Sequence, residues 1–135
     1  MATITHARES VVQALYAVEM GNEDAFSQLN DILENRKIRG KKAEFALNLL
    51  KGILENRDKI DEVIKSHLIN WDFDRLDKIE KQILRVAIYE ILYTDTPFQI
   101  VIDEAIKITK NFTEDNAKSY INGILDRVAK EKLNS

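Results

Sequence analysis

The stretch "RLDKIEKQILRVAIYEILY", Arg75 to Tyr93, decides the fold class. Leu76, Ile79, Ile83, Leu84, Val86, Ala87 and Ile91 recur at spacings of three and four, so they share one side of a helix. They are too dense for a helix with one wet face. The pattern predicts a central, heavily buried element, with Asp74 placed to cap it. Upstream, "INWDFD" (Ile69 to Asp74) reads as a linker. From Lys41 to about Leu68 the same periodicity runs through Phe45, Leu49, Ile53, Ile60, Ile64 and Leu68. That length predicts a break near "ENRD", Glu55 to Asp58. The first helix is expected from about Thr5 to Met20, on Ala7, Val11, Ala14, Leu15 and Val18, with Thr5 as its cap. Gly21 suits its end. Asn22 suits the N-cap of a short second helix through about Glu34, with Glu23 and Asp24 facing the positive end of its dipole. That helix carries Phe26, Leu29, Ile32 and Leu33.

Downstream, "TPFQ" (Thr96 to Gln99) has the order of an N-cap, a proline at the first helical position and the return arm of a capping box. The helix after it, to about Asn111, turns Ile100, Val101, Ala105 and Ile108 inward. Thr113 is placed to cap a last helix, with Glu114 and Asp115 in its first turn and Tyr120, Ile121, Ile124, Leu125 and Val128 on its apolar face. No alternating strand pattern appears. The fold class is all-α, with about seven helices joined by short connections.

The 135 residues suit one domain with a proper core. Four glycines and one proline argue against a turn-rich β fold. The absence of cysteine excludes disulfides, thiolate zinc sites and thiol catalysis. A net charge of −3 gives no global attraction for nucleic acid, so RNA binding needs a local patch or a partner. No charge-free apolar run approaches the roughly 20 residues of a membrane span. "MATITHARES" lacks an apolar signal core, and the expected location is cytoplasmic.

Catalytic signals are absent: no HExxH, no GxSxG, no glycine-rich phosphate loop. The carboxylates in "DEVIK" and "IDEAIK" read as a solvated face, and His67 as a surface or dipole-facing residue near a helix end. No enzyme, cofactor or metal is expected. The loop "RKIRGKK", Arg36 to Lys42, holds five Lys or Arg in seven positions. It can meet phosphate or simply be solvated. His6 and Arg8 form a sparser positive feature with Glu9 beside them. Most of the aromatics, Tyr16, Phe73, Tyr89, Tyr93, Phe98, Phe112 and Tyr120, are expected in the core. Tyr16 and Tyr120 stand out as rings that can stack on bases if exposed. Gly123 inside an apolar helix, with Asn122 beside it, reads as a close approach of another helix.

Four ordered blocks, "ARESVVQALYAVE", "LDKIEKQILRVAIYEILY", "PFQIVIDEAIKITKNF" and "SYINGILDRVAKE", resemble the bacterial NusB transcription antitermination factors. The resemblance runs from Ala7 to about Glu131. It rests on A-R-E-x-x-x-Q-A-L-Y in the first helix, E-K-x-I-L-R-x-A-x-Y-E in the central one, and the aromatic-Ile-Asn-Gly-Ile-Leu-Asp run near the end. It implies two packed three-helix-bundle halves, about 1–68 and 74–133. It also implies a partner, the small-subunit ribosomal protein NusE, and binding of boxA RNA in ribosomal RNA operons, with no catalysis. Other Nus factors and RNA polymerase follow indirectly. The same fold opens some ribosomal RNA cytosine methyltransferases, for whose catalytic domain this length leaves no room.

Carried over residue by residue, the resemblance assigns His6, Arg8 and Gln13 to the RNA surface. In the last helix it assigns Lys118, Ser119 and either Asp115 or Asn116, the family's acidic position falling on one of these two. Tyr16, Glu80 and Tyr120 are assigned to NusE, with Tyr16 and Gln13 near both partners. Ile4, Thr5 and His6 stand where the family is often arginine, which thins the phosphate contacts. The starts of the first and last helices are expected to build the RNA surface, their amides supplementing the few arginines. The alternative is a protein-interaction module with little RNA affinity of its own. A homodimer through an unpartnered apolar face is also conceivable.

Overall fold

The computed structural model describes residues 2–22, 24–68, 72–114 and 116–135. Among them the secondary structure is helical throughout: α1 (Ile4–Glu19), α2 (Ala25–Asn35), α3 (Gly40–Glu55), α4 (Arg57–Ser66), a 3-10 turn (Phe73–Arg75), α5 (Lys78–Tyr93), α6 (Phe98–Phe112) and α7 (Ala117–Leu133). The expected break falls at Asn56, between α3 and α4. Much of the "INWDFD" linker, residues 69–71, lies outside the described residues, as do Glu23 and Asp115.

The chain forms two compact units, Met1–Glu55 and Asn56–Ser135. In the first, α1, α2 and α3 pack on one another. In the second, α5 lies against α4, α6 and α7. The division therefore comes before α4, not near residue 68, because α4 buries Ile60 and Ile64 and packs on α5.

Helix α5 is as buried as its sequence demands: ten of its sixteen residues are buried, Lys81, Gln82, Arg85 and Glu90 among them. The core is aliphatic. Leu29, Leu50, Ile53, Ile60, Ile64, Ile83, Leu84, Ile88, Ile91, Ile108, Ile121 and Leu125 are the large side chains fully enclosed. The aromatics expected in the core sit at its margin instead. Phe73, Tyr89, Phe98, Phe112 and Tyr120 are half-buried, and Tyr16, Phe26 and Tyr93 are exposed. Ile100, expected inward on α6, is 49% exposed.

Side chains take the first amides of α1, α2 and α5, and five of the expected caps lie elsewhere. Thr3, not Thr5, opens α1. Its hydroxyl accepts from the His6 amide (3.2 Å), and the Thr3 amide donates back to His6 Nδ1 (3.1 Å), so His6 closes the capping box. Asp24, not Asn22, caps α2 through the amides of Phe26 and Ser27. Asn22 instead closes α1, its side chain donating to the Ala17 carbonyl at 3.2 Å. Asp77 caps α5, while Asp74 belongs to the 3-10 turn that Asp72 caps. Pro97, with ψ 139°, stands just outside α6. No capping box forms there, because Gln99 reaches forward to Asp103 at 2.8 Å. Thr113 ends α6 rather than starting α7, its hydroxyl donating to the Thr109 carbonyl at 3.0 Å.

Two helix ends share one device. At α1 the amides of Gly21 and Asn22 return to the carbonyls of Val18 and Ala17, with Gly21 at φ 111°. At α2 the amides of Lys37 and Ile38 return to Glu34 and Leu33, with Ile38 buried beneath the turn. Here the left-handed position is Lys37, φ 59°, where a Cβ is strained. Lys37→Gly should therefore raise stability by about 1 kcal/mol. Urea denaturation of the two proteins reads this as a shift in midpoint with no change in slope.

Candidate nucleic-acid and partner interface

In the first unit, the residues assigned to RNA meet a cation from the basic loop. Arg36 donates to Glu9 Oε1 at 2.7 Å, to Gln13 Oε1 at 3.3 Å and to the His6 carbonyl at 3.4 Å. The Glu9 side chain is only 4% exposed, so the Arg36–Glu9 pair is largely withdrawn from water. Arg36 thus fastens the end of α2 to α1. Of the two readings of the basic loop, solvated or phosphate-binding, neither describes this residue.

Arg8 is likewise not presented to solvent. It is 5% exposed, and its guanidinium lies 5.1 Å from the Phe45 ring centroid, a cation–π contact between α1 and α3. A phosphate can reach it only if that packing yields. His6 and Gln13 are half-buried, with His6 Nδ1 engaged by Thr3. Tyr16 is 37% exposed and Met20, one turn on, is 52% exposed, so α1 offers an apolar ridge toward its C-terminal end.

In the second unit the structure joins two residues assigned to the partner. The Tyr120 hydroxyl donates to Glu80 Oε1, linking the starts of α5 and α7. Burial first, then this hydrogen bond and the charges of Glu80 and Asp77, hold the phenol protonated well above the ordinary tyrosine range. Asn116 and Ser119 are exposed and Lys118 half-buried at the start of α7. Asn116 adopts a helical backbone, and no side chain caps this end. The Ala117 amide of the first turn instead donates to the Glu114 carbonyl at 3.5 Å.

Other polar contacts of this unit escaped the sequence reading because their partners are far apart in the chain. Arg85 donates to both carboxylate oxygens of Asp61 at 2.8 Å and to Gln82 at 2.9 Å. The Phe73 ring is approached by Lys65 (5.0 Å), Lys81 (4.6 Å) and Arg85 (5.8 Å). His67 is buried at the end of α4, not on the surface. Its Nε2 lies 2.8 Å from Glu131 and its Nδ1 2.8 Å from the Val63 carbonyl. Of the acids expected on a solvated face, Glu62 and Asp103 are exposed and Asp61 is half-buried, while Glu104 is buried against that expectation; Glu9 and Glu90 are buried as well. Among the described residues, no group of three or more histidine and carboxylate side chains is arranged to hold a metal ion.

Asn122 and Gly123 do not mark a close helix approach. Asn122 is exposed, and among the described residues the only atom within 4 Å of a Cβ added at Gly123 is Arg127 Nη1, at 3.6 Å. Gly123 instead borders a cleft of about 240 Å³ along α7.

The NusB family profile matches residues 5–130. The chain belongs to the NusB family. It is 48% identical to the transcription antitermination protein NusB of Nitratiruptor sp., over 99% of this chain and 96% of that one. It is 45% identical to that of Sulfurimonas denitrificans, over 98% and 100%. The solved structure of T. maritima NusB superposes with a TM-score of 0.88 at 35% identity, covering 99% of both chains. The fold is shared with a crystal structure of antitermination factors NusB and NusE in complex with double-stranded RNA, TM-score 0.85 at 24% identity, over 94% of this chain and 96% of that one. The all-helical class and the family read from the four sequence blocks both hold.

Two measurements check the electrostatics. Arg36→Ala removes a cation that lies 2.7 Å from the buried Glu9 carboxylate. It should lower stability by about 2 kcal/mol, below the usual loss for a broken buried pair because Arg36 keeps some access to water. Thermal denaturation reads it. The Tyr120 phenol gives a pH effect. The unfolded chain releases this proton near pH 10 while the native state retains it, so the native state binds more protons there. Stability is fully present below about pH 10 and should fall as pH rises beyond it. Tyr120→Phe should flatten that alkaline decline in urea midpoints measured from pH 8 to 11, since the substituted ring has no proton to lose.

Proposed function

We propose that this chain is an RNA-binding transcription antitermination factor that works as a heterodimer with NusE and recognises boxA RNA in ribosomal RNA operons. The carrying observation is the family match across nearly the whole chain. The solved NusB–NusE complex with RNA, which shares this fold, gives the reading its partners. The role is one of binding, without catalysis, and its setting is the cytoplasm. Other Nus factors and RNA polymerase engage through the complex. No described helix is long and apolar enough to cross a membrane.

The local chemistry divides the work. Tyr16 with Met20, and Glu80 with Tyr120, offer apolar and anionic contacts suited to a basic ribosomal protein. Lys118, Ser119 and the positive end of the α7 dipole offer contacts suited to phosphate. The start of α1 is less suited than its sequence implies, because Thr3 and His6 already occupy two of its amides. With Arg8 and Arg36 engaged internally, the exposed Lys37, Arg39 and Lys41 of the basic loop and Lys118 are the cations closest at hand, against a net charge of −3. NusE supplies the rest.

The burial of Arg8 also favours the second reading, a protein-interaction module with little RNA affinity. A salt series of boxA binding, with and without NusE, separates the two. The heterodimer should bind far more tightly than the chain alone, and Lys118→Ala should reduce the log–log salt slope by about one unit. Equal affinity with and without NusE would sink the cooperative reading. An unchanged slope in Lys118→Ala would leave the interaction module standing.

A further inference from the structure

The basic loop between α2 and α3 carries charge that the fold does not use. Arg36 is spent on α1, but Lys37, Arg39 and Lys41 are exposed. Among the described residues no carboxylate pairs with any of these three. The loop is nevertheless held firmly. Arg36 donates to three acceptors on α1, Ile38 is 3% exposed, and the amides of Lys37 and Ile38 return to the carbonyls of Glu34 and Leu33 at 3.1 and 2.9 Å. Anchors at 36 and 38 alternate with exposed cations at 37, 39 and 41. A loop fixed in this way loses little freedom when an anion binds it.

Lys37 is the second observation. Among the described residues three have positive φ: Gly21, Gly40 and Lys37. The two glycines adopt that conformation freely, whereas a lysine is strained in it. The turn does not need the side chain, because backbone amides make its closing bonds. A strained residue that the fold does not require points to a use for its side chain. Here the side chain is an exposed ammonium with no carboxylate partner among the described residues, so that use is the attraction of an anion.

We propose that Lys37, Arg39 and Lys41 hold phosphates of the RNA strand that flanks boxA, without reading its bases. The inference rests on the RNA-binding reading given above, in which His6 and Gln13 face RNA. Arg36 ties the loop to both of those residues, so within the first unit the three cations continue the same surface. That continuity favours RNA over an acidic protein. Contacts of this kind add affinity and fix the path of the strand but carry no sequence information.

The test uses the full chain with NusE and two single-stranded RNAs, boxA alone and boxA extended on both sides. In a salt series on the extended RNA, the triple variant Lys37→Gln, Arg39→Gln, Lys41→Gln should lose about two units of log–log slope, the value for three single-strand phosphate contacts. On boxA alone it should match the unsubstituted protein. Scrambling the extensions should leave affinity unchanged. Lys37→Gly should melt at a higher temperature and yet bind the extended RNA severalfold more weakly, a combination that loss of folding does not produce. If the unsubstituted complex binds neither RNA, the functional reading fails and takes this inference with it. If it binds both and the triple variant keeps its slope on the extended RNA, the inference alone is overturned. An equal loss on both RNAs would place the loop on boxA itself and overturn it. Loss of NusE affinity with RNA affinity intact would assign the loop to a protein and overturn it as well.

Discussion

A buried polar group must find a partner inside the protein, and that constraint organises both units. It is most visible in α5, which carries Lys81, Gln82, Arg85 and Glu90 on a helix that is otherwise core. Arg85 meets it by donating along both oxygens of Asp61, a paired geometry that fixes α4 in angle as well as distance. Apolar burial holds α4 against α5, and this fork sets how it lies. The unit boundary at Asn56 follows, because α4 is committed to α5 by both terms. Among the described residues, no enclosed side-chain nitrogen or oxygen lacks a partner.

The same constraint in the first unit changes the functional picture. Sequence charge offers Arg8 and the basic loop from Arg36 to Lys42 as cations for RNA. Two of the candidates are consumed by folding: Arg8 lies over Phe45, and Arg36 lies on Glu9. Arg36 has little attraction left for a phosphate, since moving to the new anion leaves the buried Glu9 carboxylate without it, and Arg8 reaches one only by leaving its packing on Phe45. In the proposed RNA-binding reading the electrostatic attraction therefore shifts from Arg8 and Arg36 to other cations, and a net charge of −3 favours a basic companion.

Periodicity made all seven helices legible, because spacing of apolar residues is a local property that tertiary context rarely overturns in long segments. The caps were less legible. Several residues near a helix start can accept an amide, and Thr3 prevailed over Thr5 because only Thr3 has an acceptor, His6, three residues on. Asp24 prevailed over Asn22 because the turn closing α1 had already taken Asn22. The pairs Arg36–Glu9, Arg85–Asp61 and His67–Glu131 were invisible. Each joins residues whose proximity exists only after the helices pack. The aromatics misled for a different reason. Their apolar area suggests the core, but enclosed space between these closely spaced helices is filled by Leu and Ile, and the larger rings are displaced to the margin.

That displacement is useful to a protein whose work is binding. A ring at the margin has one face packed and another available, so Tyr16 and Tyr120 can serve a partner without being withdrawn from the fold. Tyr120 adds a fixed orientation, because its hydroxyl is held by Glu80 and kept protonated by burial and by that carboxylate. The bond ties the start of α5 to the start of α7, so a ligand that displaces either residue disturbs both helices. In the proposed reading, a partner at Glu80 and a ligand at α7 are linked energetically through this hydrogen bond, and by reciprocity each alters the affinity of the other by the same factor.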